Sequence, residues 1–411
     1  MSRRWSQGNR VRLLENGDEF FPRVMEVIGH AQREILLETF ILFEDKVGLP
    51  LRGALIAAAQ RGVRVEVTVD GYGSTDLSRE FIAGLVDAGV KLHVFDPCPR
   101  VFGVRLKLFR RMHRKIIVID GVRAFVGGIN FSQEHLIDHG PKAKQDYAVE
   151  IEGPAVREIH AFARSMVDSS LRRWLHGDSS KPAPGRRFAW RRVAGNDARA
   201  VGDAQVLFLV RDNVAHPADI ERHYRAAIRA AQREIVIANA YFVPGYRLLR
   251  EIRRAARRGV QVTLIVQAKP DQWVAIRAAR ALYGYLHGSG VRIHEYHARA
   301  FHGKVALTDD EWATVGSSNL DPLSLALNLE ANVFIRDGEF NAQLRRSLER
   351  IVQNECAAVQ TLASPESSPA LTLFRFALFY FLRRFHAWAM LMPVHRPKVA
   401  VLQSPGQPPC R

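Results

Sequence analysis

The chain repeats itself, and this repeat limits the folds that it can adopt. The segment AQREILLETFI at 31–41 returns as AQREIVIANAY at 231–241. In the same order, AAAQRGVRVEVTV returns as RAARRGVQVTLIV, and AGVKLHVFD returns as SGVRIHEYH. Chance likeness between buried strands could explain one such match, but it does not explain a series in one order. The sequence therefore predicts two tandem copies of one structural unit.

Each copy has the pattern of an α/β unit. The repeated segments end a helix with Gly and continue into a run of apolar, β-branched residues, which is typical of a buried strand. Strands that are apolar along their whole length are usually covered on both faces. We therefore expect helices and strands to alternate along each copy, with its sheet covered on both sides.

Composition marks the boundaries of the two copies. Residues 181–203 are rich in Pro, Gly and Arg, which is typical of a linker, and SPESSP after Ala363 predicts a second loop. We therefore expect a first unit at 1–180, a second unit at 204–362 and a separate tail at 363–411.

The charge balance indicates a polyanionic partner. The chain has 59 Lys and Arg residues against 42 Asp and Glu residues, a formal net charge of +17. A nucleic acid, an anionic membrane surface or a phosphorylated substrate would each suit this excess. Solvated Arg-rich faces of a generally basic protein would give the same balance.

Cysteine content and hydropathy limit the compartment. The chain has 3 cysteines and no CxxC pair, which argues against a disulfide scaffold or a structural zinc site and favours a reducing compartment. The first residues contain no apolar core, and no apolar run is long enough for a spanning helix. We therefore expect no signal peptide, and a protein that is cytoplasmic or bound at a membrane face.

One spacing of polar residues occurs once in each copy, as HRKIIVIDGVRAFVGGIN and as HGKVALTDDEWATVGSSN. The two-residue period places His and Lys on one face of a strand, and Asp supplies the turn that ends the strand. The glycines allow a second strand to bring Asn beside the pair. The candidate residues are His113, Lys115, Asp120 and Asn130 in the first copy, and His302, Lys304, Asp309 and Asn319 in the second.

These residue types suit chemistry on a phosphodiester. Lys is a compact cation for phosphate oxygen, and Asn adds neutral hydrogen-bond donors. A neutral His can attack phosphorus or transfer protons near neutral pH. Two related copies would place one His as nucleophile and the other as general acid, so that an alcohol is displaced through a phosphohistidine. We expect no metal or cofactor, because the lysines and asparagines supply the charge stabilisation.

The pattern resembles the HKD motif of the phospholipase D superfamily, and both copies match it at every defining position. The resemblance implies two tandem, pseudo-symmetric phospholipase D-like α/β/α sandwich domains with mixed sheets. It also implies that the motif Asp is largely structural, although we count Asp120 and Asp309 with His and Lys in the catalytic set. In the family the N-terminal His usually attacks, so we assign attack to His113 and acid–base work to His302; the near symmetry leaves the reverse assignment open.

The resemblance implies further site residues. In the family an acidic residue downstream of each motif Asn holds a His ring. The candidates here are Asp146, in KQDYAVEIEG, and Glu330, in NLEANVFI. Either could instead be an ordinary acidic residue at the start of a strand.

Within the superfamily, the segments DGYGS, ANAYFVP and GSSNLDPLSLALNLE resemble the bacterial cardiolipin synthases. Among these, the chain is most similar to the B type, which likewise lacks two N-terminal membrane helices. The implied reaction transfers a phosphatidyl group between two phosphatidylglycerol molecules, giving cardiolipin and glycerol. Hydrolysis of phospholipids at the same site is the first alternative, and action on a nucleic-acid phosphodiester is the second.

Two segments suit contact with lipid. Residues 371–392, LTLFRFALFYFLRRFHAWAMLM, combine an aromatic and aliphatic face with Arg edges, which predicts an amphipathic interfacial helix in the tail. Packing of this helix on the protein's own core is the alternative. Residues 100–111 are basic and apolar; they suit phospholipid headgroups, and a solvated basic loop equally. We expect anionic phospholipids as partners rather than nucleic acid, and a peripheral position on the cytoplasmic face of the cell membrane.

Overall fold

The computed structural model describes residues 4–97, 110–167, 199–268 and 273–359, with 377, 380, 381, 384 and 399–402 of the tail; for 273–278 it describes the backbone alone. The strands are β1 (Ser6–Glu15), β2 (Glu34–Thr39), β3 (Arg64–Asp70), β4 (Lys91–Phe95), β5 (Ile116–Ile119), β6 (Arg123–Gly127), β7 (Lys144–Gln145), β8 (Tyr147–Glu152), β9 (Ala204–Arg211), β10 (Glu234–Asn239), β11 (Gln261–Gln267), β12 (Arg292–Tyr296), β13 (Ala300–Phe301), β14 (Lys304–Thr308), β15 (Trp312–Gly316), β16 (Glu330–Arg336), β17 (Cys356–Ala358) and β18 (Val399–Leu402).

Helices alternate with these strands in both halves. They are α1 (Asn16–Gly29), α2 (Gly48–Gln60), α3 (Arg79–Asp87), α4 (Val156–Val167), α5 (Asp219–Ala230), α6 (Tyr246–Arg257), α7 (Trp273–His287), α8 (Pro322–Ala326) and α9 (Gly338–Glu355). Two short 3-10 helices, Gln133–His135 and Ile137–Lys142, lie between β6 and β7.

The two halves have the same strand order. The first half runs β1-β8-β6-β5-β2-β3-β4-β18, and the second runs β9-β16-β15-β14-β10-β11-β12-β17. In each half three neighbouring strands are parallel, β2-β3-β4 or β10-β11-β12, and the remaining pairs are antiparallel. Antiparallel pairing of β1 with β9 joins the halves into one 16-stranded sheet. The predicted α/β fold with duplicated units and mixed sheets is confirmed.

Buried side chains lie on both faces of this sheet. On one face a single cluster takes side chains from both halves and packs under α4 and α9. On the other face the halves have separate clusters, under α1, α2 and α3 in the first and under α5, α6 and α7 in the second. Coverage on both sides explains why every residue of β2 is buried. The shared cluster fixes how the halves meet.

The motif Asp residues lie away from the His–Lys pairs, at the other ends of β5 and β14, and their place in the catalytic set stays a prediction. Asp120 follows the far end of β5, and the four residues of β5 that separate it from Lys115 span roughly 13 Å. Its carboxylate accepts the backbone N–H groups of Gln32, Arg33 and Glu34, at 2.7–2.9 Å. Asp309 accepts the N–H groups of 232–234 in the same way. Each motif Asp therefore holds the loop that precedes a central strand, β2 in the first half and β10 in the second.

The tail is only partly within the described residues. β18 pairs antiparallel with β4 and so extends the sheet. Of the predicted interfacial helix, residues 377, 380, 381 and 384 are helical and exposed, and the rest of 371–392 lies outside the described residues. Most of the linker at 181–203 and of the basic stretch at 100–111 also lies outside them, so the domain boundaries stay predictions. Among the described residues, no helix has the length and hydropathy for crossing a bilayer.

The carboxylate of Asp120 should contribute to stability. Its φ of 55° is left-handed, which Asn and Asp tolerate better than Ala. We expect Asp120→Ala to lower the free energy of unfolding by about 2–3 kcal/mol, since three N–H groups lose a charged acceptor, and Asp120→Asn to lower it by less. Urea unfolding measures both. Asp138→Ala, at a side chain that is 66% exposed, is the control and should change little; an unchanged midpoint for Asp120→Ala would contradict this account.

Candidate active site

Each motif His is placed by a backbone contact with the other half. The N–H of His113 donates to the carbonyl of Leu329 at 2.9 Å, and Leu329 donates to Arg111 at 2.9 Å. The N–H of His302 donates to the carbonyl of Gln145 at 2.8 Å, beside the short parallel pair of β7 and β13. Leu329 precedes Glu330 and Gln145 precedes Asp146 in the sequence. These backbone contacts therefore bring each His close to an acidic residue of the opposite half.

The resulting His–carboxylate pairs are crossed between the halves. Nδ1 of His113 lies 3.1 Å from Oε2 of Glu330, and Nδ1 of His302 lies 2.5 Å from Oδ2 of Asp146. Both carboxylates are fully buried, whereas the rings retain 13% and 14% exposure. A carboxylate accepts hydrogen bonds, so it holds the tautomer with the proton on Nδ1 and leaves Nε2 for reaction. Asp146 and Glu330 therefore lie where the family resemblance implies, although the sequence did not specify the crossing.

The motif lysines are buried beside their histidines. Lys115 is 5% exposed, and its Nζ donates to the carbonyl of His113 at 2.7 Å. Lys304 is fully buried and donates to the carbonyl of His302. The ring of Phe40 lies 5.4 Å from Nζ of Lys115 and 5.0 Å from the His113 ring. The site therefore brings two lysine amines next to two imidazole rings.

The motif asparagines lie on the strand-end turns beside these pairs. Asn130 and Asn319 are 2% and 6% exposed. Oδ1 of Asn130 accepts the N–H of Ile41 at 3.2 Å, so its amide N–H groups are the donors left for an anion. Oδ1 of Asn319 is buried without a hydrogen-bond partner in the described part of the chain.

Burial sets the charge states of the site. Burial, and then the charge of Lys115, lowers the pKa of His113 below its ordinary value. Burial, and then the charge of Lys304, lowers the pKa of His302 further. Burial alone would raise the pKa of Glu330, but the interaction with His113, including its hydrogen bond, and the charge of Lys115 outweigh burial, so the pKa is lowered. At neutral pH the arrangement is two neutral rings backed by buried carboxylates, which is the nucleophilic form of imidazole.

The two halves differ beside these carboxylates. A Cβ atom at Gly128 would lie 2.3 Å from Oδ1 of Asp146, so only Gly leaves room for that carboxylate. At the corresponding position the second half has Ser317, whose hydroxyl donates to Glu330 at 2.5 Å. This difference explains why one motif reads GG and the other GS.

Sequence reasoning missed a buried hydrogen-bond network that holds the two residues before His113. The guanidinium of Arg111 donates to Oδ1 of Asp70 at 2.6 and 2.9 Å, and Oδ2 of Asp70 accepts the N–H of Met112 at 2.9 Å. Burial is the first influence on the pKa of Asp70 and raises it. The segment DGYGS contains this Asp, but a role through Arg111 is visible only when the strands are in place.

The site should bind a dianion with a defined pH dependence. Burial lowers the pKa of Lys115 to about 7. The protonated amine attracts anions, so the affinity for sulfate should fall as pH rises above 7, by up to about tenfold per pH unit for one linked proton. Titration calorimetry at fixed ionic strength measures this. Lys115→Met should bind sulfate weakly and without this slope; an equal slope in the variant would assign the dependence to another group.

Comparison with known proteins identifies the family of this chain. The family model described as "Cardiolipin synthase, PLD-like domain" matches residues 24–166 and 224–352, one block in each half. Cardiolipin synthase B of Salmonella typhi is 52% identical over 404 residues, covering 98% of this chain and 95% of that protein. Cardiolipin synthase B of Escherichia coli strain K12 is 50% identical over 407 residues, with the same coverage.

A solved structure shares the fold across both halves. Phosphatidylserine synthase of Haemophilus influenzae superposes with a TM-score of 0.66 at 14% identity, covering 93% of this chain and 95% of that one. Identity this low shows the fold alone, whereas the family model and the full-length relatives show membership. The chain belongs to the cardiolipin synthase family of phospholipase D-like proteins.

Proposed function

We propose that the chain is a phosphatidyltransferase that makes cardiolipin and glycerol from two molecules of phosphatidylglycerol. The observation that carries the proposal is the pair of crossed His–carboxylate contacts beside two buried lysines. Two such rings suit a double displacement at phosphorus, because one can attack while the other moves the proton. The printed names of full-length relatives support cardiolipin as the product.

The first displacement forms a covalent intermediate. Nε2 of His113 attacks the phosphorus of one phosphatidylglycerol, and the P–O bond to the glycerol headgroup breaks as the P–N bond forms. The negative phosphodiester favours protonation of the second ring, so His302 gives its Nε2 proton to the departing glycerol oxygen. Lys115, Lys304 and the motif asparagines stabilise the charge on the remaining phosphate oxygens.

The second displacement reverses these roles. His302, now neutral, takes the proton from a hydroxyl of the second phosphatidylglycerol. The oxygen attacks phosphorus, the P–N bond breaks, and cardiolipin leaves with both rings in their starting state. Asp146, at 2.5 Å from Nδ1 of His302, stabilises the charge that this ring carries before the first displacement and regains in the second. If water replaces the second lipid, the same steps give phosphatidic acid.

The substrates place the working site at an anionic membrane surface. A net charge of +17 favours such a surface. Tyr380 and Phe381 in the tail are 55% and 38% exposed, and Arg384 lies 5.7 Å from the Tyr380 ring. Aromatic side chains with Arg at the edge are typical of interfacial helices. We propose peripheral binding on the cytoplasmic face, with this helix as one contact.

Purified protein incubated with phosphatidylglycerol vesicles and no added metal should form cardiolipin and glycerol in equal amounts, as measured by mass spectrometry. His113→Ala and His302→Ala should each lower the rate by at least about 1,000-fold, since each removes an indispensable group. His30→Ala, at an exposed ring at the end of α1, is the matched control and should keep the rate.

The products separate the alternatives. Phosphatidic acid as the only product would replace transfer with hydrolysis. Turnover of single-stranded DNA without turnover of lipid would favour a nucleic-acid phosphodiesterase. Near-normal turnover in either His variant would exclude the two-histidine mechanism.

A further inference from the structure

A third histidine adjoins one of the two crossed pairs. His135 ends the short 3-10 helix Gln133–His135 and is fully buried. Its ring lies 5.6 Å from the His302 ring, and its Nδ1 lies 3.9 Å from Oδ2 of Asp146. Five residues after Asn319, the second half has Ser324, so the pair of His113 and Glu330 has no counterpart to this ring.

The backbone fixes the tautomer of His135. The N–H of Asn130 donates to its Nε2 at 3.3 Å, so Nε2 accepts. Burial lowers the pKa of His135 well below its ordinary value, which keeps the ring neutral. A neutral ring that accepts at Nε2 carries its proton on Nδ1. That Nδ1 is buried without a hydrogen-bond partner in the described residues, and it faces Asp146.

The two halves therefore supply a donor to their carboxylates in different ways. Ser317 donates to Glu330 at 2.5 Å. The equivalent position in the first half is Gly128, because a side chain there would collide with Asp146. The side-chain N–H nearest to Asp146 from His135 is on Nδ1, which lies 3.9 Å from Oδ2 of Asp146. Hydrogen bonds of this kind are often long without substrate and shorten in the reacting complex.

A cation does not fit the same cluster. Within the described part of the chain, His135, Asp146 and His302 are the one group of three potential metal ligands with atoms within 4.8 Å of one another. Zinc bonded to two ligands at about 2.0–2.2 Å holds them roughly 3.3 Å apart in a tetrahedral site. Nδ1 of His302 and Oδ2 of Asp146 are 2.5 Å apart, which is a hydrogen-bond distance.

We propose that His135 is a positioning residue, whose Nδ1–H orients the Asp146 carboxylate so that Asp146 holds His302 through its proton transfers. The proposal rests on the proposed function for its kinetic part. It also makes the two motif histidines unequal, because Asp146 is supported by a ring and Glu330 by a hydroxyl. The buried ring thus takes part in the reaction without touching the substrate.

Two substitutions separate the nitrogens of His135. In His135→Asn the amide N–H₂ can replace the Nδ1 donor toward Asp146, whereas in His135→Gln the amide oxygen can replace Nε2 as acceptor for Asn130. We expect His135→Gln and His135→Ala to lower kcat for cardiolipin formation by about tenfold or more, with KM within about twofold. His135→Asn should restore most of kcat. Ser317→Ala is the matched variant, because it removes the hydroxyl that donates to Glu330, and it should also lower kcat.

Rescue by Gln but not by Asn would overturn the proposal, since the ring would then act through the Asn130 backbone. Wild-type kcat in His135→Ala would overturn it as well. Nitrogen-15 NMR of the unmodified protein tests the geometry even where variants fold poorly: the Nδ1–H tautomer of His135 is expected, and the Nε2–H tautomer would contradict it. If the wild type makes no cardiolipin, the proposed function fails, while this NMR measurement still tests whether Nδ1 of His135 carries the proton that the positioning role requires.

Discussion

The contact on which the site depends is a buried carboxylate from one half holding the imidazole ring of the other. Glu330 and Asp146 are fully buried, and each is within hydrogen-bond distance of a His that lies far from it in sequence. An ionised carboxylate at such a position requires a partner. Neither half therefore forms a complete His–carboxylate pair by itself. Each half contributes one reactive ring, and the carboxylate that orients this ring comes from the other half.

The rest of the fold serves this crossing. Pairing of β1 with β9 and the shared cluster under α4 and α9 hold the halves in one arrangement. Backbone contacts at Leu329 and Gln145 then bring each His to the opposite carboxylate. Burial at this meeting point keeps the rings neutral and brings the pKa of Lys115 to about 7. The neutral, reactive state of the imidazole rings and the pH dependence of anion binding thus have one physical cause, which is the removal of water from charged groups.

The sequence predicted much of this from its repeat. Two equal spacings of His, Lys and Asn specify strand faces and turns, which are local, so the duplicated fold and the clustered residues could be predicted. The crossing could not, because it depends on which strands meet at the centre. The distance of Asp120 from the His–Lys pair could not be read from the motif for a related reason: a motif is linear, whereas an extended strand separates the residues at its two ends. His135 has no counterpart in the second copy, so the repeat could not reveal it.

The crossed pairing can be measured directly from the ring pKa values by NMR titration of the intact protein. Glu330→Gln removes the negative charge beside His113 and should lower the pKa of that ring while leaving His302 nearly unchanged. Asp146→Asn should lower the pKa of His302 and leave His113 nearly unchanged. If Glu330→Gln shifted His302 instead, the pairs would lie within each half, and the account of a single site shared by two incomplete halves would be wrong.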